Sequence, residues 1–182
     1  MQIKQFDIEE IGYDGYQVSG YVSIYDTVDS HKDVVKKGAF DEAVSKWQSD
    51  KESNHIYLFS NHESKSLPVG KILQLTSDSV GLYMTAELTK DLEKAEEIRS
   101  DLLGGEEVGL SIGYIAKDSY TEGDIRYLES VDLVEVSLLT YKTPSNPYTF
   151  VSEQKATEDE IKLDTVEEIK AYLTVLEMIN LS

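Results

Sequence analysis

No cysteine occurs anywhere in the 182 residues. That excludes disulfides, zinc–thiolate centres and a cysteine nucleophile together. Positive charge is scarce as well: 17 Lys and Arg stand against 35 Asp and Glu, a formal charge of −18. Phosphate backbones and anionic membrane surfaces both require a basic footprint, so neither nucleic acid nor membrane is expected as a partner. An acidic excess keeps a chain soluble and attracts basic partners. Long apolar runs are missing too, and the start, Met1-Gln2-Ile3-Lys4-Gln5-Phe6-Asp7, holds nothing of signal-peptide length. The expectation is a soluble, cytoplasmic protein.

What is present suffices for a core. Hydrophobic residues make up 40% of the chain, and the length fits one domain with an appended tail. Residues 15–25 are rich in Tyr, Val and Ile and read as a strand. After a polar, turn-like stretch at 26–37, the apolar positions 39, 40, 43, 44 and 47 fall at helical spacing. A charged loop at 50–54 leads to the buried-strand run Ile56-Tyr57-Leu58-Phe59, which ends at Asn61-His62-Glu63.

Residues 69–76 and 81–88 read as a strand pair turning at Ser77-Asp78-Ser79, with Leu82, Met84, Ala86 and Leu88 on one face. From 91 to 103 the period becomes helical: Asp91 is the expected N-cap, Leu92, Ala95, Ile98 and Leu102 the stripe, and Gly104-Gly105 the stop. Strand patterns return at 107–116, about 125–129 and 131–141, and Pro144 and Pro147 close the section. Residues 152–164 are polar like a linker, and Asp164-Thr165-Val166-Glu167 is a capping box for an amphipathic helix over 165–182. The division is therefore 1–151, a β-rich domain; 152–164, a linker; and 165–182, a terminal helix or processed tail. About seven short strands with two or three helices favour a barrel or sandwich decorated by helices.

For chemistry, Ser111 is set apart by Gly109-Leu110-Ser111-Ile112-Gly113-Tyr114. Flanking glycines let backbone amides and a substrate approach its hydroxyl; equally, they mark a bulge or a close strand contact. The hexapeptide also spells G-x-S-x-G, but a nucleophile elbow needs a helix after the Ser and a His later in the chain. All three histidines, His31, His55 and His62, precede Ser111, which opposes an elbow-type esterase. His31 lies in a charged turn and reads as a solvated surface residue. His55 begins a strand and reads as its rim.

His62 follows a buried strand and precedes a polar loop, where an imidazole is held rigidly yet reaches solvent. A zinc reading of His62-Glu63 fails because the second imidazole would fall at Ser66. No metal and no cofactor are expected. A carboxylate to orient the imidazole is not singled out by the residues alone: Glu135, inside Leu133-Val134-Glu135-Val136-Ser137-Leu138-Leu139, competes with Glu63 and Asp132.

An ordered set of segments carries a resemblance. It runs Gly20-Tyr21-Val22-Ser23, Asp26-Thr27-Val28-Asp29, Lys37-Gly38-Ala39-Phe40, Asn61-His62-Glu63, Pro68-Val69-Gly70 and Gly81-Leu82-Tyr83. The Ser111 hexapeptide, the Glu135 strand and a Pro/Asn turn at 144–147 complete it. Over about residues 15–151 the chain resembles the prohead serine proteases of tailed phages, which belong to the herpesvirus protease (assemblin) clan. The resemblance implies a mostly antiparallel β-barrel of about seven strands surrounded by helices. It also implies a catalytic order met by His62, Ser111 and Glu135.

The family often shows Pro-Gly-Ala-Phe and an Asp after the catalytic His, where this chain has Lys37 and Glu63. The implied function is capsid maturation inside the assembling prohead of a bacterial host. Substrates would be the scaffold segment of the major capsid protein, the portal, and the protease itself within 152–164. A homodimer or higher homo-oligomer and oxyanion donors at 142–146 are further implications. The alternative is a non-catalytic capsid-assembly or scaffolding protein on the same fold.

Overall fold

The period-two run at 81–88 does what the pattern asks: Leu82, Met84, Ala86 and Leu88 are sealed in the core, while Tyr83 and Thr85 are only half-buried. The computed structural model describes residues 14–50, 56–140 and 144–151. Within them the strands are β1 (Gln17–Ile24), β2 (Asp33–Val35), β3 (Tyr57–Ser60), β4 (Gly70–Ser77), β5 (Gly81–Leu88), β6 (Val108–Glu122), β7 (Ile125–Leu139) and β8 (Phe150–Val151). Two helices, α1 (Asp41–Ser49) and α2 (Glu93–Leu103), lie between them. His55, the linker at 152–164 and the expected helix at 165–182 lie outside the described residues.

All eight strands join one sheet in the order β1-β5-β4-β3-β7-β6-β8, with β2 added beside β7. The sheet curls into a half-barrel around Val18, Phe40, Leu58, Leu75, Leu82, Ile98, Leu110, Leu128 and Leu138. Trp47, Val44 and Ala43 fasten α1 to this core, and Ala95, Ile98 and Leu102 fasten α2. The expectation of a mostly antiparallel barrel needs correcting, because the sheet is mixed. β3 and β2 both run parallel to β7. A parallel pair needs a long crossover, and β3 reaches β7 only after β4, β5, α2 and β6 have been laid down.

The longest element is the β6–β7 hairpin, thirteen registered pairs turning at Gly123-Asp124. Its polar outer part, Lys117 to Glu122, is strand where alternation ends, because the ladder itself satisfies the backbone there. A second correction concerns α2. Leu92, not Asp91, occupies the N-cap position, without a side-chain bond. Glu96 instead reaches back to accept the Asp91 N–H at 3.1 Å.

Candidate active site

The register of three adjacent strands, β3-β7-β6, builds the site. Ser111 on β6 lies opposite Ser137 on β7, and Gly113 lies opposite Glu135. Side chains two apart share a face, so Ser111, Ser137 and Glu135 project together, while Val136 and Leu138 point into the core. On the other flank of β7, β3 pairs Tyr57 with Glu135 and Ser60 with Leu138. One more rung, Asn61 N–H to the Leu138 carbonyl at 2.9 Å, ends the ladder.

The chain then turns through two left-handed residues, Asn61 (φ 52°) and His62 (φ 62°). That conformation costs roughly 1–2 kcal/mol per residue for an L side chain, least for Asn. It is held by the Asn61 side chain, which donates to Ser60 Oγ and Thr140 Oγ1 (both 3.1 Å) and accepts from the Thr140 N–H (3.2 Å). The turn swings the imidazole back over β7.

There His62 Nε2 stands 3.0 Å from Ser111 Oγ, and Nδ1 stands 2.7 Å from Glu135 Oε1. An ionised carboxylate only accepts, so Nδ1 carries the proton and Nε2 is left to accept from the Ser111 hydroxyl. The Glu135 side chain is 10% exposed and that of His62 is 39% exposed. One end of the relay is thus dry and the other open.

The structure brings Ser111 and His62 together with Glu135, the carboxylate that the resemblance favoured among three candidates. The competing carboxylates go elsewhere: Glu63 is exposed beyond the turn, and Asp132 faces Lys46 at 3.4 Å and Lys117 at 4.0 Å. His31 is exposed, as expected, but it also lines the cavity beside Ser111.

Both glycines of the hexapeptide mark close contacts, one of the two readings of their setting. A Cβ on Gly113 would lie 2.5 Å from Glu135 Oε1, so that glycine makes room for the carboxylate. A Cβ on Gly109 would meet Pro144 Cδ at 2.9 Å. Sequence reading missed Ser137, whose signal was a second polar residue on the Glu135 face of a Leu- and Val-rich strand. It also missed Asn61 as the anchor of the histidine turn.

A cavity of about 300 Å³ opens beside the Ser–His pair. Val22, Val35, Leu110 and Ile112 supply apolar wall, and Asp29, Asp33, Tyr114, Ser145 and Asn146 supply polar groups. Asp33 is bound through both carboxylate oxygens by Arg126 (Nε at 2.8 Å) and accepts from the Tyr114 hydroxyl at 2.8 Å. The Arg126 guanidinium, and then Tyr114, hold the Asp33 carboxyl below its ordinary range against the opposing effect of burial. Burial, and then the hydrogen bond to Asp33, push the Tyr114 hydroxyl well above its ordinary value, so it stays a donor. A nucleophilic oxygen, a base aligned by a buried carboxylate and an adjoining cleft are the parts that acyl transfer requires.

Comparison with known proteins points the same way. A family model described as caudovirus prohead serine protease matches residues 4–170. The prohead protease of Enterobacteria phage HK97 is 30% identical over 175 residues, covering 92% of this chain and 73% of that one. The capsid assembly protease of bacteriophage T4 superposes with a TM-score of 0.58 over 69% of this chain and 82% of that one. At 12% identity that likeness speaks for the fold. Overlap with the KSHV protease is looser, with a TM-score of 0.38 at 17% identity over 68% of this chain and 58% of that one.

Proposed function

Since this chain belongs to the family of caudovirus prohead serine proteases, and is thus a protease of capsid maturation, we propose that it cuts peptide bonds through an acyl-enzyme on Ser111. The observation that carries the reading is the unbroken chain Ser111 Oγ–His62 Nε2–Nδ1–Glu135 Oε1, at 3.0 and 2.7 Å, beside an open cavity. Ser111 Oγ attacks the scissile carbonyl carbon as its proton passes to His62 Nε2. The tetrahedral adduct collapses when that proton is handed to the leaving amine. A water, deprotonated by the same nitrogen, then hydrolyses the ester and frees Ser111.

Glu135 keeps the proton on Nδ1 and balances the imidazolium that forms in each half-reaction. Of the 142–146 stretch expected to supply oxyanion donors, Lys142 and Thr143 lie outside the described residues and Pro144 has no N–H, so the donors are proposed in the backbone of Ser145 and Asn146, which stand on the cavity wall beside Ser111. The substrates proposed are the scaffold segment of the major capsid protein, the portal, and this chain's own 152–164 segment. All would be cut inside the assembling prohead, with the protease acting as a homodimer or higher homo-oligomer.

The test is co-expression of the chain with its major capsid protein, with products followed by gel and mass spectrometry. Ser111→Ala and His62→Ala are expected to lower cleavage at least about a thousandfold, to background. Undiminished cleavage by Ser111→Ala would remove Ser111 from the role. A wild-type chain that cleaves no capsid component would leave the non-catalytic assembly reading standing.

A further inference from the structure

We infer that Ser137 is a positioning residue of this site, holding both the carboxylate and the backbone of the histidine that the proposed protease mechanism requires. Its side chain is completely buried, directly across the β6–β7 ladder from Ser111. Ser137 Oγ donates to Glu135 Oε2 at 2.7 Å and accepts the His62 N–H at 3.1 Å. The direction of each bond is forced. An ionised carboxylate cannot donate and a backbone N–H cannot accept, so one hydroxyl is polarised from the histidine main chain toward the glutamate.

Glu135 is thereby fixed at both oxygens, Oε1 on the imidazole and Oε2 on Ser137. His62 is likewise fixed at both ends: its ring reaches β7 through Glu135, and its backbone reaches β7 through Ser137. That second tether bears on a residue in the left-handed region, at φ 62°. Without Ser137 the carboxylate is free to turn about its last side-chain bond, and the part-buried His62 N–H loses its acceptor. Ser111 keeps its place, because β6 does not depend on that hydroxyl.

The consequence is a loss of reactivity without a matching loss of binding. A fluorophosphonate probe reads this independently of any peptide preference, since it phosphonylates an activated serine. In full-length Ser137→Ala, the limiting rate kinact is expected to fall roughly tenfold to a hundredfold, as sub-ångström misplacement of reacting groups does. KI should stay within about twofold.

Two further variants separate positioning from mere space-filling. Ser137→Cys restores the volume with a weak donor and should label as slowly as Ser137→Ala. Ser137→Thr keeps the hydroxyl and should recover most of the rate. A Glu135→Ala background supplies the coupling: there Ser137→Ala should cost no more than about threefold. Full labelling by Ser137→Ala, recovery by Ser137→Cys, or multiplicative losses in the double variant would each overturn the inference. Labelling that persists in Ser111→Ala would instead overturn the underlying protease reading, so the two failures are distinguishable.

Discussion

At the scale of single residues, the site depends on an atom that is absent. Gly113 sits opposite Glu135, and its missing Cβ is the space that the carboxylate fills, 2.5 Å from Oε1. Gly113→Ala therefore should displace Glu135 and slow fluorophosphonate labelling of Ser111 by about tenfold to a hundredfold. The overpacking should also cost about 1–3 kcal/mol of stability. Adding Glu135→Ala to that variant should recover the stability but not the labelling rate, because the clash partner and the orienting carboxylate are the same group. A Gly113→Ala protein that labels at the wild-type rate would refute this account.

The glycines flanking Ser111 were visible in the sequence, and a bulge or close strand contact was one of their two readings, but the neighbours that need the space were not legible. Sequence shows which positions lack a side chain, whereas the neighbour that needs the space, Glu135 for Gly113 and Pro144 for Gly109, is set by how distant segments come together. Glu135 itself was legible as a charge stranded among Leu and Val, yet its preference over Glu63 and Asp132 rested on family resemblance. In the structure Glu135 Oε1 stands 2.7 Å from His62 Nδ1, whereas Asp132 faces Lys46 and Lys117.

At the scale of elements, local periodicity located what local periodicity governs. Both helices, the β4–β5 pair and β3 are where their apolar spacing puts them, because each buries one face on the shared core. The parallel placement of β3 on β7 was beyond reach, since nothing in either strand encodes its direction relative to the other. The three-residue strand β2 was read as part of a turn, being too short to show a period.

What secures β2 is charge rather than pattern. Asp33 pairs in register with Arg126 of β7, and Arg126 grips both oxygens of a side chain only 5% exposed. Tyr114 of β6 adds a third bond, so one carboxylate ties three strands at the cavity wall. Its pKa is depressed in the folded state, chiefly by Arg126. The stability it contributes is therefore complete above the unfolded carboxylate value of about 3.9, and is lost as pH falls through the lower folded value. Asp33→Asn should be less stable by about 1.5–3 kcal/mol at pH 7 in urea unfolding. That gap should close as the pH is brought below about 3.9. A gap that stays constant down to pH 2.5 would show that Asp33 acts through shape and not through charge.

At the scale of the whole molecule, the dominant fact is the net charge of −18. Two salt effects oppose each other. Screening weakens attractive pairs such as Lys32–Asp124 and Lys117–Glu42, but these are exposed, and exposed pairs contribute about 0–1 kcal/mol each. Screening also relieves the mutual repulsion of the acidic excess, which every carboxylate feels and which grows with the square of the net charge. At about 10 mM salt the Debye length is about 30 Å, so repulsion acts across the whole domain; at about 150 mM it is about 8 Å, so only near neighbours interact.

The long-range repulsive part is thus removed over that interval, while ion pairs at 3 Å are reduced far less. Relief should win. The melting temperature is expected to rise by about 2–4 °C between 10 and 150 mM sodium chloride, corresponding to about 1 kcal/mol for a chain of this size. The rise should flatten above about 0.3 M, where the Debye length no longer spans neighbouring charges. A melting temperature that falls with salt would mean that paired charges, rather than the acidic excess, set the electrostatic balance of the fold.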